Sequence, residues 1–232
     1  MNAVDTSATD GSDGAYADDH GAEHRGLGFG RTIVLIVVLC FAAGVIGWWI
    51  AQPNDEHFNS VDTGFLTDMT THHNGAIELS FAYLGRENDR SVGHFAREIV
   101  VGQSQETAIM NQLLLDAGGA APGDEEVAME WMGDPVAASR MPGMANEGEF
   151  AGLRTAEGSS ADDQFTRLMI RHHAGGIAMA EYAAANGKSD RVRRLAAAIA
   201  KVQGTEIVEM EMRRKALGLA AVDTSVHGSH TR

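Results

Sequence analysis

The sequence predicts an all-α protein: a four-helix bundle assembled from two duplicated helical hairpins, preceded by one N-terminal transmembrane helix. Three observations carry this prediction. Residues 32–51 run for twenty positions without a charge. Further on, the chain matches itself at a constant offset of one hundred residues. Within the matched blocks, apolar residues recur at helical rather than strand spacing.

The bulk numbers narrow the function classes. Hydrophobic residues make up 44% of the 232, enough for a real core. A formal charge of -14 argues against nucleic acid as a partner, because phosphates require a basic surface. The same charge disfavours peripheral docking on anionic lipid. With Cys40 as the only cysteine there is no disulfide framework and no thiolate metal site. Metal chemistry in this chain has to use His, Met and carboxylates.

Residues 1–31 hold six acidic residues, two arginines and many small polar residues, a composition expected to be disordered. Residues 32–51 then form the predicted anchor, since twenty residues at about 1.5 Å rise cross a hydrocarbon core of about 30 Å. Trp48 and Trp49 stand at its far end, where indole rings favour the interface. Arg25 and Arg31 precede the span, while Asp55 and Glu56 follow it. The positive-inside rule therefore places the N-terminus in the cytoplasm and residues 52–232 outside the cell membrane. A cleaved signal peptide fits less well, because the apolar run is long and its exit lacks an Ala-x-Ala site.

The repeat defines the rest. Asp62, Phe65, Met69, His72, His73, Gly75 and Ile77 align with Asp162, Phe165, Met169, His172, His173, Gly175 and Ile177. The same offset pairs Val92, Ala96, Ile99, Gln103, Glu106 and Met110 with Val192, Ala196, Ile199, Gln203, Glu206 and Met210. In the first block Phe65, Met69, His72, Ala76, Leu79 and Tyr83 fall on one helix face. In the second, Phe95, Ile99, Gln103, Glu106, Met110 and Leu113 do so. Polar turns separate the helices, with Asp89 or Ser91 and Ser189 or Asp190 as candidate N-caps, and Gly118 and Gly218 as stops. The bundle is expected over 52–219, with hairpins at 60–118 and 160–218. A Pro- and Gly-rich crossover at 119–159 joins them, as in ferritin-like topologies, with short helical pieces expected near 124–132 and 146–156. Residues 220–232 are expected to form a mobile tail.

Hairpin geometry then brings the chemistry together. If the first hairpin turns near residue 88, positions whose numbers add to about 176 lie level. His72 and His73 therefore lie level with Gln103 and Glu106, and Met69 with the stretch between Glu106 and Met110. The second copy repeats this for Met169, His172, His173, Gln203, Glu206 and Met210. Two readings account for such a polar cluster on apolar faces. The groups satisfy one another and fix hairpin register, giving a structural or protein-interaction module. Alternatively they bind a metal: a thioether with two imidazoles and no thiolate favours Cu(I) or Ag(I) over Mg(II) or Ca(II). Adjacent histidines diverge by about 100° around a helix, so one can coordinate while its neighbour bonds to Glu or Gln. A metal-dependent redox enzyme is the weakest reading, since di-iron chemistry needs Glu-x-x-His on two helices and the predicted helices carry none. Catalytic residues are therefore not expected. Met129, Met132, Met141 and Met144 in the crossover are read as apolar plugs over the bundle, with transient capture of Cu(I) as the alternative.

The stretch MPGMANEGEFAGLRTAEGSSADDQFTRLMIRHHAGGIAMAEYA, followed by QGTEIVEMEMRRKALG, closely resembles the domain of unknown function 305 family over about residues 58–218. That resemblance implies a ferritin-like helical fold in an exported or membrane-anchored bacterial protein. It also implies, as for some members, periplasmic copper or silver binding through Met and His. Phe165, Met169, His172, His173, Met179, Gln203, Glu206 and Met210 of the second copy match the family pattern. The first copy departs from it, with Leu79 at the position of Met179 and Glu78 at that of Ala178. The expected metal set is thus Met69, His72, His73, Glu106, Met110, Met169, His172, His173, Met179, Glu206 and Met210, with Cu(I) the expected ion.

Overall fold

The computed structural model describes residues 57–85, 92–119 and 127–224. Four long helices occur where the repeat requires them: α1 (Ser60–Leu84), α2 (Gly93–Asp116), α4 (Gly158–Asn186) and α5 (Asp190–Ala216). A short helix, α3 (Glu147–Thr155), lies in the crossover. The crossover also holds a feature absent from the all-α prediction. Val127–Ala128 (β1) pairs antiparallel with Val136–Ala137 (β2), and a 3-10 turn at Glu130–Met132 lies between them. Among the described residues no helix is long and apolar enough to cross a membrane. The span predicted at 32–51, the N-terminal tail and the candidate caps Asp89 and Ser91 lie outside the described residues.

Local chemistry sets the helix ends. α1 opens with a capping box: Asn59 accepts from the Asp62 N–H, and the Asp62 carboxylate accepts from the Asn59 N–H. α3 opens the same way with Asn146 and Glu149. Ser189 caps α5, accepting from the Val192 N–H at 3.1 Å. The two predicted glycine stops hold as well. Gly118 and Gly218 take φ of 75° and 73°, one residue beyond the caps of α2 and α5.

α1 packs along α2 and α4 along α5, forming the two expected hairpins, and α1 and α4 pack on each other between them. Helices α1 and α4 are antiparallel, because each helix start meets the other's end. At one end the Asp62 carboxylate accepts from the Lys188 and Ser189 N–H groups. At the other, the Tyr83 hydroxyl donates to Asp162 Oδ1, and its ring stacks on Phe165 at 4.5 Å. The main apolar cluster gathers there around Tyr83, Phe165, Leu168, Phe95 and Ile99, and Leu153 of α3 closes it.

The first residues of the expected tail make hydrogen bonds. Ala220 O accepts from the guanidinium of buried Arg214, and the Val222 N–H donates to Glu211 at 2.8 Å. Residues 220–222 are therefore held against α5. The buried Arg214 guanidinium needs acceptors, and this stretch of backbone supplies one.

Candidate metal centre

The expected level pairing is present in both hairpins. His73 Nε2 lies 2.8 Å from Glu106 Oε2, and His173 Nε2 lies 2.7 Å from Glu206 Oε2. The imidazoles are fully buried, whereas the carboxylates reach the surface. Each hairpin thus carries one histidine turned toward its own second helix.

The other histidine of each copy turns the opposite way, into the α1–α4 contact. His72 and His172 stack with ring centroids 3.8 Å apart. His172 Nε2 donates to the His72 carbonyl at 2.9 Å, and His72 Nε2 donates to the Pro142 carbonyl at 3.0 Å. Carbonyl oxygens only accept, so both rings carry the proton on Nε2. Burial pushes His72 down to about 3, with the neighbouring His73 and His173 lowering it further against the raising effect of the Pro142 bond. Burial likewise holds His172 well below the usual histidine range, aided by His72, His173 and His73. At neutral pH both rings are uncharged, and each Nδ1 offers a lone pair.

Those lone pairs have nothing to bond. Nδ1 of His72, His73, His172 and His173 is buried without a hydrogen-bond partner, and so are both amide atoms of Gln103 and of Gln203. Most of the unpartnered buried atoms among the described residues belong to these six side chains. An unmet buried polar group costs about 1–3 kcal/mol. Buried oxygens of Thr70, Ser80, Thr107 and Asn111 are unpartnered too, but the histidines and glutamines contribute the larger share, which marks a place suited to a ligand.

The expected thioethers are equally buried: Met69, Met110, Met169, Met179 and Met210 have no exposed surface. Met169 and Met210 sit within the main apolar cluster, so they also serve as core. Among the described residues no three His, Cys, Asp or Glu side chains converge as a ready ligand set. The imidazoles therefore fit an ion only with other donor types completing its shell, and buried thioethers and glutamine amides are the types this core contains.

The crossover methionines were expected to plug the bundle; the docking of the crossover backbone was not. The Met-Pro-Gly-Met turn lies directly on α4: Gly143, at φ 83°, packs against the backbone of Arg171 and His172, and the Pro142 carbonyl abuts Gly175. A side chain at Gly175 would collide with that carbonyl. Met144 folds over Gly75. Arg171 clamps the covering piece, with two 2.7 Å bonds to Glu149 and one to the Met144 carbonyl. This ion pair holds the Glu149 carboxyl below its ordinary range. Further along, Asp68 accepts from the Met129 N–H and the Trp131 indole, each at 2.7 Å. Burial nevertheless raises the Asp68 carboxyl above its ordinary range. The Gly175-Gly176 pair beside the histidines was the sequence signal for this close docking.

Comparison with known proteins agrees with this architecture. The family model for a domain of unknown function, DUF305, matches residues 62–214. A DUF305 protein from Streptomyces coelicolor is 31% identical, with a TM-score of 0.62 over 69% of this chain and 95% of that one. A DUF305 fragment from Deinococcus radiodurans is 35% identical, with a TM-score of 0.58 over 69% and 97%. CopM in its Cu(I)-bound form is 25% identical, with a TM-score of 0.50 over 67% and 96%. No curated protein matches the chain. A family match across most of the chain, carried by the same Met-x-x-His-His hairpins that build the centre, settles its affiliation: the chain belongs to the DUF305 family.

Proposed function

We propose that this protein is a non-enzymatic, membrane-anchored, extracytoplasmic binder of Cu(I)- or Ag(I)-type ions, serving in buffering, delivery or tolerance. The observation that carries the reading is the set of buried, unpartnered Nδ1 atoms at the crossing of α1 and α4. Neutral imidazoles with Nε2 already engaged present Nδ1 as the coordinating atom. Carboxylates at Glu106 and Glu206 hold the neighbouring rings in the manner of a supporting shell around a metal. Buried thioethers supply soft donors, and no thiolate competes with them. The Cu(I)-bound CopM relative supports the same class of ion. Anchoring and the outside location rest on the charge-free run at 32–51 and its flanking arginines.

A purely structural module is the competing reading, favoured by the internal bonds of all four Nε2 atoms. It leaves four Nδ1 atoms and two amides unmet, at about 1–3 kcal/mol each, where aliphatic side chains would have cost nothing. The test is a Cu(I) titration of the full chain against a competing chelator, beside variants Met169→Leu and Met179→Leu. Met-to-Leu exchange conserves core volume at a cost below about 1.5 kcal/mol, so the fold survives. Stoichiometric uptake with weakened affinity in at least one variant is expected. Absence of uptake by the wild type refutes the reading. Uptake that both variants match refutes the thioether role.

A further inference from the structure

The outer surface of α2 is unusual in a chain of net charge -14. From Ile99 to Leu115 the single charged residue is Glu106, and its carboxylate is bonded to His73. Ile99, Gln103, Met110 and Leu113 turn inward and hold the helix to the bundle. The outward line runs through Val101, Gln105, Ala108, Gln112 and Leu115, all exposed among the described residues. Val101 and Leu115 leave 56% and 57% of their surface in water. These five residues are spaced alternately four and three apart, the spacing of a seam along which one helix packs on another. The duplicate helix supplies the contrast. At the same positions α5 carries Lys201, Thr205, Val208, Met212 and Lys215, so its outward line ends in a cation on both sides.

We propose that α2 is a self-association surface: two copies of this chain pair through it, antiparallel, with Ala108 of each on the two-fold axis. A second copy is the occupant that the charge distribution favours. Chains of this net charge repel one another, and contact costs least where both faces are neutral. The line is also its own complement, as a two-fold contact requires. Antiparallel pairing about Ala108 sets Val101 against the partner's Leu115, and the small alanine at the crossing lets the two backbones approach closely. Gln112 donates to Asp116 within its own helix and keeps its amide oxygen for the partner. The same arrangement brings Arg97 within a turn of the partner's Asp116. Parallel pairing would instead stack like charges and align the two helix dipoles. Through α5, an equivalent pairing would set Lys201 against the partner's Lys215, which repel. One helix pair is a narrow contact, in the class below about 1,200 Å² in all, so association is reversible and rises with concentration.

The experiment uses the full metal-free chain in mild detergent, with Cys40→Ser as background so that each introduced thiol is alone. Ala108→Cys is expected to give a disulfide-linked dimer on oxidation with diamide, because identical residues meet on the axis. Val101→Cys alone is expected to stay unlinked, since the partner's Val101 lies about 21 Å along the helix. Mixed with Leu115→Cys protein, it is expected to link. Val208→Cys, equally exposed on α5, reports random collision. Analytical ultracentrifugation then compares the natural chain with Ala108→Arg over a range of concentrations. Ala108→Arg is expected to weaken dimerisation about tenfold or more, since it sets two unpaired guanidinium groups against each other on the axis. Its circular dichroism melt is expected to match the natural chain, because residue 108 is exposed. A chain that stays monomeric at every concentration overturns the proposal, as does linking of Val208→Cys as fast as Ala108→Cys. A dimer that Ala108→Arg leaves intact also overturns it and places association elsewhere in the chain. Linking of Val101→Cys alone as readily as Ala108→Cys overturns the antiparallel register.

Discussion

The two histidines at the α1–α4 crossing make the apo-protein acid-sensitive in a calculable way. In the unfolded chain an imidazole titrates near 6.5, while His72 in the fold stays neutral down to about 3. His172 is held low by the same burial. Above pH 6.5 neither state binds the extra proton, and the stability these rings permit is fully present. As pH falls below 6.5 the unfolded chain takes up a proton per ring that the folded chain refuses. Each ring then lowers stability by roughly 1 kcal/mol per pH unit, and the two act in the same direction. For His72 alone the total down to its folded value is about 5 kcal/mol, as large as the whole stability of many domains. The perturbation is the double variant His72→Gln, His172→Gln, whose amide nitrogens can still donate to the Pro142 and residue 72 carbonyls. Urea unfolding of both metal-free proteins between pH 7 and 4.5 gives the comparison. The difference between them is expected to grow as pH falls, the wild type losing the extra stability. Parallel pH dependences would refute the assignment of buried neutral rings.

Two further perturbations test the covering crossover and the far end of the bundle. Asp68→Ala strands the Met129 N–H and the Trp131 indole N–H, at about 1–3 kcal/mol each. The crossover should then be cut faster by protease, and unchanged cleavage would deny Asp68 its anchoring role. Arg214→Met removes the bonds to Asp163, Thr166 and the Ala220 carbonyl. A loss of about 3 kcal/mol is expected, read as a drop in Tm of about 6–12 °C. A shift of less than about 2 °C would show that solvent replaces those bonds.

Much of this architecture was legible in the chain because a repeat and a period constrain each other. The offset showed which helices correspond, and the turn arithmetic placed His72 and His73 level with Gln103 and Glu106, of which the structure pairs His73 with Glu106, as it pairs His173 with Glu206. Both depend on spacing within one hairpin. How the hairpins pack on each other is different, since no periodicity in one segment encodes its angle to another. The contact of the His72 and His172 rings, and the place of Gln203 against Gly176, therefore emerged only from the assembled core. The crossover was legible as irregular, with methionines that plug the bundle, but the docking of its backbone was not. Its docking depends on backbone groups, the Pro142 carbonyl and the Met129 N–H, that carry no side-chain signature. Met169 and Met210 show the limit from the other side, because a thioether at helical spacing reads alike as ligand and as core.

The Pro142 carbonyl has a consequence for how two like halves came to differ. Two free copies of one hairpin, meeting face to face, would make the His72 and His172 contacts in matched pairs, each ring bonded to the opposing backbone. Here a single connecting strand of chain reaches that junction, and one strand cannot lie on a two-fold axis without choosing a side. Its Pro142 carbonyl accepts from His72, while His172 donates to the His72 carbonyl. The connection therefore makes the two histidines inequivalent although the sequence around them repeats.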